Sequence, residues 1–210
     1  MPSGSGSLTR FLTRFFDKVD PMPSELAPPS RAPKKSMRKP SPDRAVGRST
    51  GRLAAVQAIY FIVQSDAVVD DVLRDFVSGR VGRAAIAENP DTGQEIYVDL
   101  AEADSGLLVD IVRCWQDRRE DIERLITQSL SVGWPAERLE LLAKCVLSAG
   151  TAELLSRPDV PARVTISEFV DIAKAFYAGP ETGMVNAVLD RVARAIDRLE
   201  PKNTDGDPSP

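Results

Sequence analysis

Three arginines, Arg44, Arg48 and Arg52, stand four residues apart directly before an apolar stretch that begins at Leu53. Arginine suits phosphate because its planar guanidinium pairs with two oxygens at once, and it also stacks on exposed bases. If this segment were helical, the spacing would place the three guanidiniums on one stripe. The three arginines are therefore candidate contacts for a nucleic acid.

Charge is distributed unevenly around these arginines. The 210 residues carry a net charge of −4. Residues 31–52, which we call the basic arm, contain eight basic residues and one acid, a net charge of +7, whereas residues 53–210 carry −11. A basic arm on an acidic body is typical of polyanion binding. Gly47 and Gly51 disfavour a stable free helix, which favours an arm that becomes ordered on RNA. The alternative is a solvated tail.

The remaining composition argues against catalysis. The chain has no histidine, the usual general base and the commonest metal ligand. Cys114 and Cys145 are isolated, which favours buried free thiols in a reducing cytosol over a zinc site or a disulfide. Neither a glycine-rich phosphate loop nor an apolar run long enough to span a membrane is present in the sequence. We therefore predict a cytoplasmic, non-enzymatic protein with no membrane contact, metal or cofactor.

Composition and apolar spacing divide the chain into three parts: a disordered basic extension at 1–42, a helical domain at 43–200 and a disordered tail at 201–210. Within the extension, residues 8–19 have the spacing of an amphipathic basic helix. That segment is either a docking helix for a membrane surface or a partner, or the product of translation upstream of a start at Met22 or Met37.

Beyond the arm, apolar residues recur almost everywhere at helical spacing, which predicts an all-α bundle of about seven helices around one core. Residues 83–98 are predicted to form a loop. A helix beginning at Pro135 contains Gly150, which indicates close packing by a neighbour. Thr165 and Glu168 are predicted to form a capping box at the start of a later helix.

The segments "GRLAAVQAIY", "DVPARVTISEFVDIAKAF" and "MVNAVLDRVA" resemble the NusB family in order and spacing, over roughly residues 44–198. The resemblance implies two stacked helical subdomains and no enzymatic activity. It also implies binding of the single-stranded boxA element of ribosomal RNA transcripts. The implied protein partners are NusE, a ribosomal protein, and the RNA polymerase antitermination complex.

The resemblance assigns roles to individual residues. Arg48 and Arg52 match arginines of the family arm, Gln57 is expected to lie toward RNA, and Phe176 near the RNA face. Tyr60 is expected on the NusE side. For Tyr60 and Phe176 the alternative is ordinary core packing.

The sequence also departs from the family pattern. Ser49 and Thr50 interrupt the run of arginines, while Ala143 and Ser148 stand where an acid and an arginine are common. Glu153, by contrast, matches the family and is interpreted as a polar residue that fixes helix contacts.

Two other classes of protein stay open. Ribosomal RNA cytosine methyltransferases carry a NusB-like N-terminal domain, so the chain could be such a fragment, although its acidic, proline-containing end resembles a natural terminus. A helical module that binds only proteins would require that the arm not bind RNA.

Overall fold

The structure is a computed structural model that describes residues 42–82, 84–88 and 95–199, with the backbone alone for 42–44, 84–88 and 95–99. Three predictions concern residues outside these ranges: the disorder of the extension up to residue 41, the helix at 8–19 and the disorder of the tail at 201–210.

Seven α-helices are found in the described part of the chain, which confirms the all-α prediction. They are α1 (Pro42–Ser65), α2 (Val69–Val77), α3 (Ser105–Asp117), α4 (Arg119–Ser129), α5 (Leu141–Ser156), α6 (Ala162–Phe176) and α7 (Glu181–Ala195). Apolar residues at three- and four-residue spacing form one buried stripe on most of them, such as Val72, Leu73 and Phe76 of α2.

The helices form two stacked groups. Helices α1, α2 and α3 pack on one another, and α4, α6 and α7 form the second group. Helix α5 lies between the groups and contacts α1, α3, α4, α6 and α7. From Leu142 to Leu154, every residue of α5 except Lys144 and Ser148 is buried. Helix α5 is therefore the central helix of the bundle, and five of the other helices pack against it.

Gly150 of α5 shows why one neighbour can approach so closely. A Cβ at this position would lie 3.0 Å from the side chain of Leu189 on α7 and 3.3 Å from Phe169 on α6. The glycine therefore allows three helices to meet without a gap, and the prediction of close packing at Gly150 is confirmed.

Two local predictions are wrong. Residues 83–98 do not form only a loop, because β1 (Ala84–Glu88) and β2 (Glu95–Asp99) pair as an antiparallel hairpin, with Ala84 opposite Asp99. The helix predicted from Pro135 is interrupted as well. A short 3₁₀ turn at Ala136–Arg138 precedes α5, and the backbone at Leu139 and Glu140 is extended.

Candidate nucleic-acid interface

The last residues of the basic arm form the N-terminal half of α1, which runs unbroken over Pro42–Ser65. The expectation that Gly47 and Gly51 oppose a helix here is wrong. Both glycines face the segment before α3, where a Cβ on Gly51 would lie 2.9 Å from the carbonyl oxygen of Asp104 and one on Gly47 3.1 Å from that of Glu102. The Asp104 N–H also donates to the Gly47 carbonyl at 2.8 Å. Tertiary contact with a glycine-lined face therefore outweighs weak helix propensity.

Arg52 lies inside the protein with 2% of its surface exposed. Its Nε and Nη2 donate to Glu153 at 2.8 and 2.7 Å, and its Nη1 lies 3.1 Å from Glu168 Oε2. Burial alone would lower the pKa of Arg52, but the hydrogen bonds and charges of the two glutamates outweigh it and raise the pKa. The prediction that Arg52 joins Arg44 and Arg48 on an exposed, RNA-facing stripe is therefore wrong. The carboxylates of Glu153 and Glu168, on the helices beneath α1, hold its guanidinium inside the protein.

Two hydroxyl groups complete this buried network. Thr165 Oγ1 donates to Glu153 Oε1 at 3.1 Å, and Ser49 Oγ donates to Glu168 Oε2 at 2.6 Å. The predicted capping box is wrong, since α6 begins at Ala162 and its N-cap makes no side-chain hydrogen bond. Instead, the Thr165 side chain faces Glu153 on α5 and the Glu168 side chain faces α1. The network joins α1, α5 and α6.

Arg48 has a different environment, one turn earlier on α1. Its side chain is 31% exposed, and its Nη2 is 3.9 Å from Asp159 Oδ2. That carboxylate already accepts two hydrogen bonds from Arg157, both of 2.9 Å, which hold the pKa of Asp159 at about 2. Arg48 therefore keeps an accessible guanidinium at the surface. The backbone of Arg44 lies a further turn toward the N-terminus.

The structure places Gln57 and Phe176 in the interior. Gln57 is 5% exposed, and its Oε1 is buried without a hydrogen-bond partner among the described residues. An added Cβ at Gly82 would lie 3.7 Å from that oxygen, so the amide lies beside the turn after α2. Phe176, the last residue of α6, is 9% exposed and belongs to the core. The expectation that the Gln57 side chain faces RNA is wrong, because that side chain is buried. The burial of Phe176 agrees with the alternative of ordinary core packing.

Tyr60 lies on a different part of α1 from Arg48. It is half-buried against the core, and burial together with the neighbouring Cys145 raises the pKa of its phenol. Beside it in sequence, Ile59 and Val63 line a surface cleft of about 290 Å³ between α1, α3, α4 and α5. Tyr60 is not itself one of the residues that line the cleft, but it lies near Cys145, which is, and away from the arginines.

The cleft combines apolar and charged side chains. The Arg119 guanidinium lies over the Trp115 ring, 5.2 Å from its centroid, and Lys144 comes from α5. Cys145 also lines the cleft, but burial raises the pKa of its thiol to about 12, so it stays neutral at physiological pH. No local sequence pattern reveals this cleft, because its walls come from four separate helices and the 3₁₀ turn before α5.

Neither a metal site nor a membrane span is found in the described ranges. No set of three or more cysteine, aspartate or glutamate side chains there is arranged to hold a metal ion. None of the described helices has both the length and the apolar character needed to cross a bilayer.

Comparison with known proteins places this arrangement in a family. A model of the NusB family matches residues 49–194. The transcription antitermination protein NusB of Rhodospirillum rubrum is 46% identical over 158 residues, covering 72% of this chain and 85% of that protein. The NusB of Caulobacter vibrioides is 42% identical over 154 residues, covering 73% of this chain and 97% of its own.

The fold comparison agrees. A solved structure of T. maritima NusB has a TM-score of 0.53 at 25% identity and covers 75% of this chain and 93% of its own. The two curated relatives are named for a role in transcription and not for a reaction, in agreement with the prediction of a non-enzymatic protein. Because the family model spans most of the chain and these relatives share more than two fifths of the aligned residues, this chain belongs to the NusB family.

Proposed function

We propose that the chain acts in transcription antitermination in the cytoplasm by binding the boxA element of ribosomal RNA transcripts. The observation that carries the proposal is Arg48, an accessible guanidinium on a helix whose next turn is fixed inside the protein by Arg52. This helix is the continuation of an arm with a charge of +7 on a body of −11. Arg44 and Arg48 are the proposed phosphate contacts, and Arg52 is the anchor beneath them.

NusE is the proposed protein partner, and it would bind along the cleft beside Tyr60. A half-buried tyrosine near a groove that combines apolar and charged side chains is a common anchor in protein interfaces. Tyr60 and Arg48 lie on the same helix, so both partners would use one rigid element. The complex of the chain, RNA and NusE would then join the RNA polymerase antitermination complex.

The salt dependence of RNA binding tests the proposal. Each phosphate neutralised on a single strand contributes roughly −0.7 to the slope of log K against log salt. We expect the full chain to bind a boxA RNA, and Arg48→Ala to weaken binding and make the slope shallower by about 0.7. Arg74→Ala on α2 is the matched control, because Arg74 is also an exposed arginine and is paired with Asp71 of its own helix. That variant should leave the affinity and the slope unchanged.

Repeating the titration with saturating NusE tests the second partner. RNA affinity should rise, and NusE affinity should rise by the same factor when RNA is saturating, because coupling between two sites is reciprocal. Wild-type chain that captures NusE but no boxA RNA would identify a module that binds only proteins, and the RNA proposal would then be wrong.

A further inference from the structure

Glu168 connects α6 to the arm at two points. Its Oε2 accepts the hydrogen bond of Ser49 and lies 3.1 Å from Arg52 Nη1, so it contacts two successive turns of α1. Its side chain is 30% exposed, whereas Glu153, the other partner of Arg52, is fully buried. Loss of Glu168 would therefore leave Arg52 paired with Glu153, and the interior would keep a compensated charge.

The turn of α1 that carries Arg48 packs through Gly47 and Gly51 against the segment before α3, but few polar contacts join it to the rest of the protein. Among the described residues, two hydrogen bonds join positions 45–51 to other elements, one from Asp104 to Gly47 and one from Ser49 to Glu168. The hydroxyl of Thr50 bonds back within α1 to Val46, and Arg48 is only 3.9 Å from Asp159. Glu168 thus supplies the side-chain hydrogen bond that fixes this turn on the body.

We propose that Glu168 is a positioning residue for the arm: it holds the turn containing Ser49 in place and thereby pre-orders Arg48 for RNA, without contacting RNA itself. The proposal rests on the function proposed above. Fixing a flexible backbone costs conformational entropy, and an arm already fixed before binding does not lose that free energy when RNA binds.

The charge of Glu168 acts in the opposite direction, which makes the proposal separable from simple electrostatics. A carboxylate beside the arm repels phosphate, so its removal alone would strengthen RNA binding. Glu168→Gln removes the charge but keeps an oxygen that can accept the Ser49 hydrogen bond. Glu168→Ala removes both. Electrostatics without positioning predicts equal RNA affinity for the two variants, both tighter than wild type.

The test measures boxA RNA affinity and amide hydrogen exchange in the full-length chain. If Glu168 positions the arm, Glu168→Ala should bind RNA about twofold to tenfold more weakly than Glu168→Gln, the range of one net hydrogen bond. The salt slope should be equal in the two variants, since neither loses a phosphate contact. Amides 45–51 should exchange faster in Glu168→Ala than in Glu168→Gln, while those of α5 stay protected.

Two further variants control the comparison. Ser49→Ala removes the other half of the hydrogen bond, so its effect should not add to that of Glu168→Ala. Asp171→Ala removes an exposed carboxylate on the same helix that is paired with Lys174, and it should leave exchange of the arm unchanged. Equal RNA affinity or equal arm exchange in Glu168→Ala and Glu168→Gln would overturn the proposal. Absence of RNA binding by wild type would instead overturn the proposed function, and the exchange rates would then decide the positioning role alone.

Discussion

Arg48 and Arg52 lie one turn apart on the same helix and have the same side chain, yet one is accessible to solvent and the other is buried. Arg52 is buried between two glutamates, and Arg48 is accessible beside one aspartate that a third arginine already holds. The difference comes from the elements beneath α1. A stripe of arginines on one helix therefore does not identify which of them reaches solvent.

The two environments have different energetic consequences. A buried ion pair stabilises little relative to an apolar pair, but removal of one partner is costly because a charge remains without compensation. An exposed pair contributes about 0–1 kcal/mol. Arg52 is therefore expected to matter for the stability of the fold, whereas Arg48 contributes little to stability and lies at the surface. A truncation that shortens the arm should accordingly end before Thr50, since Thr50 and Arg52 are both buried and the core contacts begin before Leu53.

The largest expected effect comes from breaking the anchor at Glu153. Glu153→Ala should lower the free energy of unfolding by about 3–5 kcal/mol, because it leaves a buried guanidinium whose remaining carboxylate partner, Glu168, is 30% exposed. Urea denaturation of the variant and wild type measures this. Asp121→Ala, which removes an exposed carboxylate paired with Arg118 and Arg124, is the control and should change stability by about 1 kcal/mol at most. A loss at Glu153 as small as that at Asp121 would show that Arg52 is not an anchor.

A smaller effect is expected at the close contact between α1 and the segment before α3. Gly51→Ala would place a Cβ 2.9 Å from the backbone oxygen of Asp104, which cannot move without shifting the chain, and should cost about 1–3 kcal/mol. Gly183→Ala on α7 is the matched control. Apart from its chain neighbours and the backbone of its own helix, no atom lies within 4 Å of its added Cβ, so that variant should be unchanged or up to about 1 kcal/mol more stable. Thermal denaturation of both variants gives the comparison, and a stabilised Gly51→Ala would contradict the packing of the arm.

The sequence was informative wherever a local pattern decided the outcome. Apolar spacing located the seven helices, and Gly150 indicated a close neighbour because glycine inside an apolar helix is costly unless a neighbour needs the space. The pattern failed where distant residues decided the outcome. No local pattern reveals that Gly47 and Gly51 pack against the segment at Asp104, some fifty residues away. Nor does a local pattern show that Thr165 bonds to Glu153 and Glu168 to α1, so their spacing predicts a cap. Period-two spacing over two short strands was too brief to predict the hairpin.

The smallest expected effect concerns the pKa of Asp159 and shows how firmly this carboxylate holds Arg48. Asp159 is an exposed carboxyl whose pKa is lowered from 3.8 to about 2, chiefly by the hydrogen bond from Arg157, with Arg48 a minor contributor. Because the folded-state pKa is depressed, the stabilisation from this carboxylate is fully present above pH 3.8 and is lost as the pH falls through about 2. An NMR titration of the Asp159 carboxyl carbon should show a pKa that rises toward 3.8 in Arg157→Ala and hardly moves in Arg48→Ala. Equal rises in the two variants would mean that Asp159 holds Arg48 as firmly as it holds Arg157. In that case RNA would have to displace an acid before Arg48 could bind phosphate, and the contrast between the surface arginine and the buried one would be weaker.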